Sequence, residues 1–172
     1  MDRIDRAILA EMQKDVRLSN KGLAARVGLA ASSCLERVRR LERDGAIAGA
    51  HAVVSPAVLG IGVQALVRVR LDRHLREPVE EFRAHLDALP EAIGYYHLTG
   101  QDDFLVHVVA RDTAHLRDLT MDAFTTRPEV ARIETSLLFE VHRKPALPDL
   151  LPAEDDAGRS PRRGTPHAGS RS

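Results

Sequence analysis

The chain has few of the residues that mark a disulfide-bonded, membrane-spanning or aromatic-rich protein. Its 172 residues include one cysteine and no tryptophan, and aromatic residues make up 3%. One cysteine cannot form an internal disulfide, and there is no apolar run of about 18 residues to span a bilayer. The N-terminal stretch also lacks the pattern of a secretory signal. We therefore expect a globular, cytoplasmic protein with no membrane partner.

The chain also has no net charge, with 25 Lys and Arg against 25 Asp and Glu. The overall balance therefore gives no argument for a polyanionic partner. The distribution is uneven, however: residues 1–50 hold 10 basic and 7 acidic residues, and residues 51–144 hold 11 and 14. A basic first segment followed by an acidic one suggests a polyanion-binding module joined to a different domain.

The first thirty residues have the apolar spacing of two short helices. Asp2 can cap a helix that ends near Lys14. Ser19 can cap a second helix, and Gly28 is suited to end it. We expect the apolar faces of both helices to form part of a small core.

A third helix is predicted from about Ser32 to Asp44, ended by Gly45 in the left-handed conformation. At about 100° per residue, four apolar side chains fall within one arc and should pack on the first two helices. They are Cys34, Leu35, Val38 and Leu41. The outer face then carries Ser33, Glu36, Arg40 and Arg43, with Arg37 and Arg39 at its edges.

Two short helices joined by a glycine-containing turn, the second with an arginine-rich outer face, form the layout of a helix-turn-helix. In that motif the second helix enters the DNA major groove. Arginine suits the role because it neutralises phosphates and can bond guanine O6 and N7 together. A solvated three-helix bundle, with Glu36 and Arg40 as an ordinary i,i+4 pair, is the alternative. These residues alone leave both interpretations open.

The hydropathy period changes after Ile47. A strand-like connector is predicted from Ile47 to Val54. Beyond it, β-prone runs predict strands, and apolar residues at helical spacing predict helices. The predicted strands are 64–71, 95–99, 104–110 and 133–141, and the predicted helices are 78–89 and 113–127, the last capped by Thr113. The resulting β-α-β-β-α-β order is that of a ferredoxin-like α+β domain, in which two helices cover one face of a four-stranded antiparallel sheet. We expect a second subunit to cover the other face.

No catalytic or metal-binding pattern is present in the sequence. Its eight histidines are scattered, and none forms the short-spaced pair typical of a zinc site. There is also no nucleophile elbow, P-loop or dinucleotide-binding glycine pattern. We therefore predict that the protein is not an enzyme and holds no metal or cofactor, although ferredoxin-like dimers also include enzymes.

The run DRIDRAILAEMQKDVRLSNKGLAARVGL, followed by CLERVRRLERDGAI, resembles the N-terminal domain of the leucine-responsive regulatory protein/AsnC family of transcription regulators. The resemblance covers residues 2–47 and implies that the third helix is the recognition helix. The implied contacts to DNA bases or phosphates are Ser32, Ser33, Arg37, Arg39, Arg40 and Arg43. The family usually opens this helix with Ser or Thr where this chain has Ala30, so Ser32 or Ser33 is the expected cap.

The family's C-terminal domain has the same β-α-β-β-α-β order, dimerises through its sheet and is described as ACT-like. The loop LTGQDDF, residues 98–104, is similar to the family's Gly-x-x-Asp-Tyr/Phe pattern, near which relatives bind a small amino acid. The resemblance implies an effector site formed by Gly100, Gln101, Asp102 and Asp103, with Thr135 from the last strand. Ile133 stands where relatives have a second threonine.

Together these observations predict a sequence-specific transcriptional regulator. We expect a helix-turn-helix domain at 1–50, a connector strand and linker at 51–62, an effector-binding and dimerisation domain at 63–144, and a disordered tail at 145–172. The expected partners are double-stranded DNA, an amino-acid effector, with a hydrophobic one favoured, and further copies of the chain. Those copies would form a homodimer that assembles into a tetramer or octamer. The alternative is a ligand-independent architectural DNA-binding protein, which the departure at Ile133 allows.

Overall fold

A computed structural model describes residues 1–72 and 76–152 of the chain. The chain divides into two compact units. Of the described residues, the first unit comprises Met1–His51 and 143–152, and the second comprises those between Ala52 and His142. In the described ranges, no helix combines the length and apolar character needed to cross a membrane.

The first unit contains three helices. They are α1 (Arg3–Lys14), α2 (Asn20–Val27) and α3 (Ala31–Arg43). Asp2 caps α1 and Ser19 caps α2, both as predicted. Gly28 ends α2 as predicted, with φ 71°, and Gly45 follows α3 at φ 74°, in the left-handed conformation that was predicted for it.

The start of α3 differs from the prediction. Ala30 occupies the N-cap position and makes no side-chain hydrogen bond, so neither Ser32 nor Ser33 caps the helix. The turn between the helices is secured from α2 instead, because Nδ2 of Asn20 donates to the backbone oxygen of Ala31 at 2.7 Å. Both serines are left exposed on the first turn of α3.

The core of the first unit is small. Its buried apolar residues are Ile8, Leu23, Ala24, Cys34 and Leu41. Val38 packs against them, but the prediction for Leu35 is wrong, since its side chain is 37% exposed. Leu35 lies about 100° around α3 from Cys34, outside the narrow arc that meets α1 and α2.

The connector has no strand. The predicted strand from Ile47 to Val54 is absent, and a 3₁₀-helix forms at Pro56–Leu59. A strand needs a neighbour for its backbone hydrogen bonds, and in the described chain no other strand pairs with this segment. Proline at the first position of the 3₁₀-helix loses no backbone donor that the turn requires.

The second unit confirms the β-α-β-β-α-β order. Its elements are β1 (Val63–Leu71), α4 (Arg76–Ala88), β2 (Ala92–His97), β3 (Phe104–Ala110), α5 (Thr113–Thr120) and β4 (Val130–Leu137). The strands form one sheet in the order β2-β3-β1-β4, and every neighbouring pair is antiparallel. Both β2 and β4 begin three residues earlier than predicted.

The cap of α5 also differs from the prediction. Asp112, not Thr113, occupies the N-cap position, where its Oδ1 accepts the N–H of His115 at 2.8 Å. The helix then continues into a π-helical turn at Met121–Thr125, which places Phe124 in the core.

Helices α4 and α5 cover one face of the sheet. Alternate residues of β1 are buried on that face: Ala65, Val67, Val69 and Leu71. Three rings fill the space beneath the helices, with the centroid of Phe82 5.1 Å from Phe104 and 6.3 Å from Phe124. The opposite face carries residues such as Arg68 and Tyr96, the latter 63% exposed.

The C-terminal segment 145–152 forms no helix or strand. It lies against α1, where the backbone N–H of Leu147 donates to Oε1 of Gln13 at 2.7 Å. Nε of Arg6 donates to Oδ2 of Asp149 at 2.5 Å. The rest of the predicted tail, 153–172, lies outside the described residues, as do 73–75.

Candidate DNA-binding surface and effector site

The outer surface of α3 holds most of the residues expected to contact DNA. Ser32, Ser33, Arg39, Arg40 and Arg43 are exposed there. In the part of the chain that the structure describes, Arg39 and Arg43 make no side-chain hydrogen bond or ion pair. Both cations are therefore available to an external anion such as a DNA phosphate.

Arg37 differs from these residues because it is bound within the protein. Its Nη1 donates to Oδ2 of Asp2 at 2.6 Å and to Oδ1 of Asp5 at 2.8 Å. Arg40 joins the same group, with Nη2 2.6 Å from Oδ2 of Asp5. The two arginines thus connect α3 to the N-terminus of α1.

The acids of this group are held in their charged form. The backbone hydrogen bond from Asp5, followed by the bond from Arg37, lowers the pKa of Asp2 to about 2. Burial pushes the pKa of Asp5 upward, but hydrogen bonds from the Asp2 backbone and from Arg37 outweigh it and leave that pKa below its usual value. Both carboxylates therefore stay negative beside the two guanidinium groups at neutral pH.

The loop between β2 and β3 forms the second candidate site. Gly100 adopts φ 123°, a conformation that side chains rarely permit. Asp103 is buried and bonded on both sides: its N–H donates to the oxygen of Val69 at 2.9 Å, and its Oδ2 accepts the N–H of Leu71 at 2.8 Å. The Asp103 carboxylate thus fastens the loop to the end of β1.

A cavity of about 640 Å³ lies between this loop and α4. The loop side contributes Gly100 and Asp103, and the helix contributes Arg76, Glu80 and Arg83. The hydroxyl of Tyr95 and then the Glu80 carboxylate raise the pKa of Arg83. The cavity is therefore lined by arginine cations, by carboxylates and by a glycine whose backbone a ligand can approach closely. These groups suit a small zwitterion.

The structure does not bring all the expected effector residues together. Gln101 and Asp102 belong to the same loop but do not line the cavity. Thr135 is exposed on β4, and β1 separates β4 from β3 in the sheet. Within one chain, the predicted effector residues are therefore not all together. Gly100 and Asp103 line the cavity, Gln101 and Asp102 lie in the loop outside it, and Thr135 lies on a different strand.

The residues that the structure describes contain no cluster of three or more His, Cys, Asp or Glu side chains arranged to hold a metal ion. Two of the histidines, His97 and His107, lie in neighbouring strands of the sheet. His97 pairs with Phe104 in the sheet and stacks on its ring at 4.9 Å, whereas His107 bonds Gln64 through Nε2 at 2.9 Å.

Both parts of the chain match known domain families. Residues 1–42 match the AsnC-type helix-turn-helix domain, and residues 64–146 match the Lrp/AsnC ligand-binding domain. The HTH-type transcriptional regulator AldR of Mycolicibacterium smegmatis is 41% identical over 148 residues, which cover 86% of each chain. This chain belongs to the Lrp/AsnC family of transcriptional regulators. It has that family's DNA-binding helix-turn-helix domain and ligand-binding domain.

Other members of the Lrp/AsnC family are also similar to this chain in sequence and structure. The leucine-responsive regulatory protein of Salmonella typhimurium is 38% identical over 140 residues, covering 81% of this chain and 85% of that one. A transcriptional regulator of Neisseria meningitidis, solved as its L-Met complex, superposes with a TM-score of 0.79 at 30% identity. That alignment covers 86% of this chain and 96% of the other.

Two groups of residues at the candidate sites of this Lrp/AsnC protein were not predicted from its sequence. Asp5 could have been found, because it lies three residues before Ile8 and seven before Met12, a charge on the apolar face of α1. The cavity residues of α4 also share one helix face, since they are spaced four and three residues apart. They carry no motif, however, that would connect them to a loop some twenty residues later.

Proposed function

We propose that this Lrp/AsnC regulator binds specific duplex DNA through the outer face of α3, and that an amino acid bound at the β2–β3 loop alters that binding. The observation that carries the proposal is the set of exposed arginines on the second helix of a helix-turn-helix. Such a helix presents its side chains to base edges and phosphates when it enters the major groove.

Within α3, Arg39, Arg40 and Arg43 are the arginines best suited to reach DNA, because each is exposed. Ser32 and Ser33 are exposed on the first turn, where short hydroxyl side chains can bond phosphates or bases. Arg37 has a smaller exposed fraction and two carboxylate partners, so its proposed role differs from theirs.

The effector proposal is supported by the chemistry of the cavity. An amino acid needs a cation for its carboxylate, and Arg76 or Arg83 supplies one. It needs an anion for its ammonium group, which Glu80 and Asp103 offer, and Gly100 lets the ligand approach the backbone. The neighbouring structure with bound L-Met supports an amino acid, with a hydrophobic one favoured.

Assembly into dimers is part of the same proposal. Helices α4 and α5 pack on one face of the sheet, and the other face bears exposed Tyr96 and half-buried Leu66. A two-fold interface through this face would place two copies of the recognition helix on one DNA molecule. Dimers would associate further into a tetramer or octamer.

A selection experiment tests both halves of the proposal. The wild-type chain is incubated with a random-sequence duplex pool, and the enriched duplex is then titrated with and without each of the twenty amino acids. We expect one sequence class to be enriched and at least one amino acid, with L-Met and L-Leu tested first, to change its affinity. The coupling should be about 5- to 150-fold, the usual range for allosteric effects.

The effector site is tested with Asp103→Asn. Its amide cannot attract an ammonium group, but its oxygen still accepts the Leu71 N–H, so the amino-acid response should be lost while ligand-free DNA affinity is kept. Asp118→Asn, an exposed acid on α5, is the matched control and should respond like the wild type. An unchanged response in Asp103→Asn would contradict this site.

A ligand-independent architectural protein is the second candidate. Ile133 favours this candidate, because it packs against the core at a position where relatives have a threonine. Of the two threonines that relatives have on this strand, β4 therefore keeps only Thr135. Calorimetry that finds no amino acid bound to the wild-type protein, together with unselective DNA binding, would favour this candidate.

A further inference from the structure

Asp5 is a buried carboxylate in the core of the DNA-binding unit. It is 1% exposed and lies at the third position of α1, where it forms a reciprocal capping box with Asp2. Its oxygens accept from the backbone N–H of Asp2 at 3.0 Å, from Arg37 at 2.8 Å and from Arg40 at 2.6 Å. A carboxylate so deeply buried is stable only when it is paired and hydrogen-bonded, so these contacts are integral to the fold.

The two arginines are not equivalent in this arrangement. Arg37 bridges both acids through Nη1, and its side chain is 26% exposed. Among the described residues, Arg40 donates to Asp5 alone, through Nη2, and its side chain is 45% exposed. A guanidinium group has five donors, so Arg40 can hold Asp5 and bind a second anion at the same time.

We propose that Asp5 is a positioning residue for DNA recognition. It orients Arg40 so that the donors not used by Asp5 meet the DNA, while Arg37 clamps α3 onto α1 instead of contacting DNA. This inference rests on the proposed DNA-binding role of α3. Its physical basis is preorganisation: a long side chain that is already ordered loses less conformational entropy on binding than a free one.

The test compares the full-length wild type with Asp5→Asn, Arg37→Gln and Arg40→Gln. The probes are the duplex enriched by the wild type and a shuffled version of it, both titrated over a range of salt concentrations. Glu11→Gln is the matched control, because it also removes one acidic charge from α1 but breaks pairs with Lys14 and Arg26 only. The readouts are the affinity ratio of the two duplexes, the salt slope and the melting temperature.

We expect Asp5→Asn to lower the affinity ratio roughly three- to tenfold without changing the salt slope, since no phosphate contact is removed. Arg40→Gln should lower affinity and reduce the salt slope by about one. Arg37→Gln should lower the ratio with the slope unchanged. Adding Asp5→Asn to Arg40→Gln should cause little further loss of the ratio, because Asp5 acts on DNA recognition through Arg40. Glu11→Gln should keep the wild-type ratio.

A wild-type ratio in folded Asp5→Asn, or a slope reduced by one in Arg37→Gln, would overturn the inference. If Asp5→Asn unfolds at the assay temperature, Arg37→Lys takes its place in the test. The positive charge remains, but the lysine ammonium ends one bond short of the position of Nη1, the atom that contacts both acids. Its ratio should fall, and an unchanged ratio would equally overturn the inference. Failure of the proposed function is a separate result, in which the wild type enriches no duplex or Arg40→Gln binds like the wild type.

Discussion

Among the described residues, the core cluster of the helical unit holds five buried apolar side chains, whereas that of the α+β unit holds fourteen, three of them phenylalanines. Each unit also buries one carboxylate, Asp5 in the first and Asp103 in the second. A small core removes little apolar surface from water, so the first unit depends more on caps and charge pairs. In the second unit, the close packing of aromatic rings and β-branched side chains is the main contribution to stability. The same contacts that stabilise the first unit also hold α3, the helix proposed to bind DNA, against α1. Effects on folding and on the proposed DNA binding are therefore harder to separate there.

The largest expected effect is on the aromatic core. Phe82 is fully buried and touches the rings of Phe104 and Phe124, so Phe82→Ala should destabilise the α+β unit by about 3–5 kcal/mol. Hydrogen exchange measures the change for each unit: amides of β1 and β3 should exchange faster, while those of α1 keep their wild-type rates.

Phe82→Leu serves as the graded control, because leucine retains most of the buried volume and should cost much less. Equal losses in the two variants would show that this side chain does not fill the core. Faster exchange in α1 as well would show that the two units do not unfold independently, which would weaken the comparison between them.

An acid titration tests the reliance of the helical unit on charge. Asp2 and Asp5 both have lowered pKa values in the folded state, so the stability they add is complete above the unfolded value of about 4 and is lost as the pH falls below it. For Asp2 the loss extends to its folded pKa of about 2. We expect the amides of α1 and α3 to lose protection over this window. The α+β unit has its own acid-sensitive cap at Asp112, whose pKa is lowered mainly by the His115 N–H, so α5 should also fray.

Asp5→Asn separates the contributions within this titration. It should flatten the acid dependence in α1 and α3 and leave that of α5 unchanged. If the variant retains the wild-type acid profile in α1, the lowered pKa values do not control the stability of the helical unit.

Local signals in the sequence predicted much of this fold. Asp2 and Ser19 were identified as caps because each precedes an apolar helical run, and β3 was placed from Phe104 to Ala110 because β-prone residues fill that run. The prediction of a connector strand was wrong, because the β-propensity of a segment does not supply a strand for it to pair with. Asp112 was missed as a cap because Thr113 beside it is also a residue type favoured at the N-cap.

The candidate sites were less predictable than the fold. A helical projection places Arg37 at the edge of α3 but cannot show that two acids of α1 lie beside it. Likewise, the loop around Gly100 was evident from its turn residues, whereas the contribution of α4 to the cavity depends on tertiary packing. Contacts between residues distant in sequence were therefore the main source of error.

The smallest expected effect concerns the C-terminal segment on α1. Asp149 is 46% exposed and its partner Arg6 is 22% exposed, and the pKa of Asp149 is lowered chiefly by that arginine. Exposed ion pairs contribute about 0–1 kcal/mol, so Asp149→Asn should change the stability of the helical unit by no more than this.

Deletion of residues 146–172 also removes the hydrogen bond from Leu147 to Gln13. It should still change the stability of the helical unit only slightly, because the leucines of the segment are mostly exposed. Thermal unfolding checks both variants, with Asp118→Asn as a control for the loss of a surface charge. A loss above about 2 kcal/mol on deletion would mean that the segment belongs to the core of the helical unit, and the contrast between a small core and a large one would then have to be redrawn.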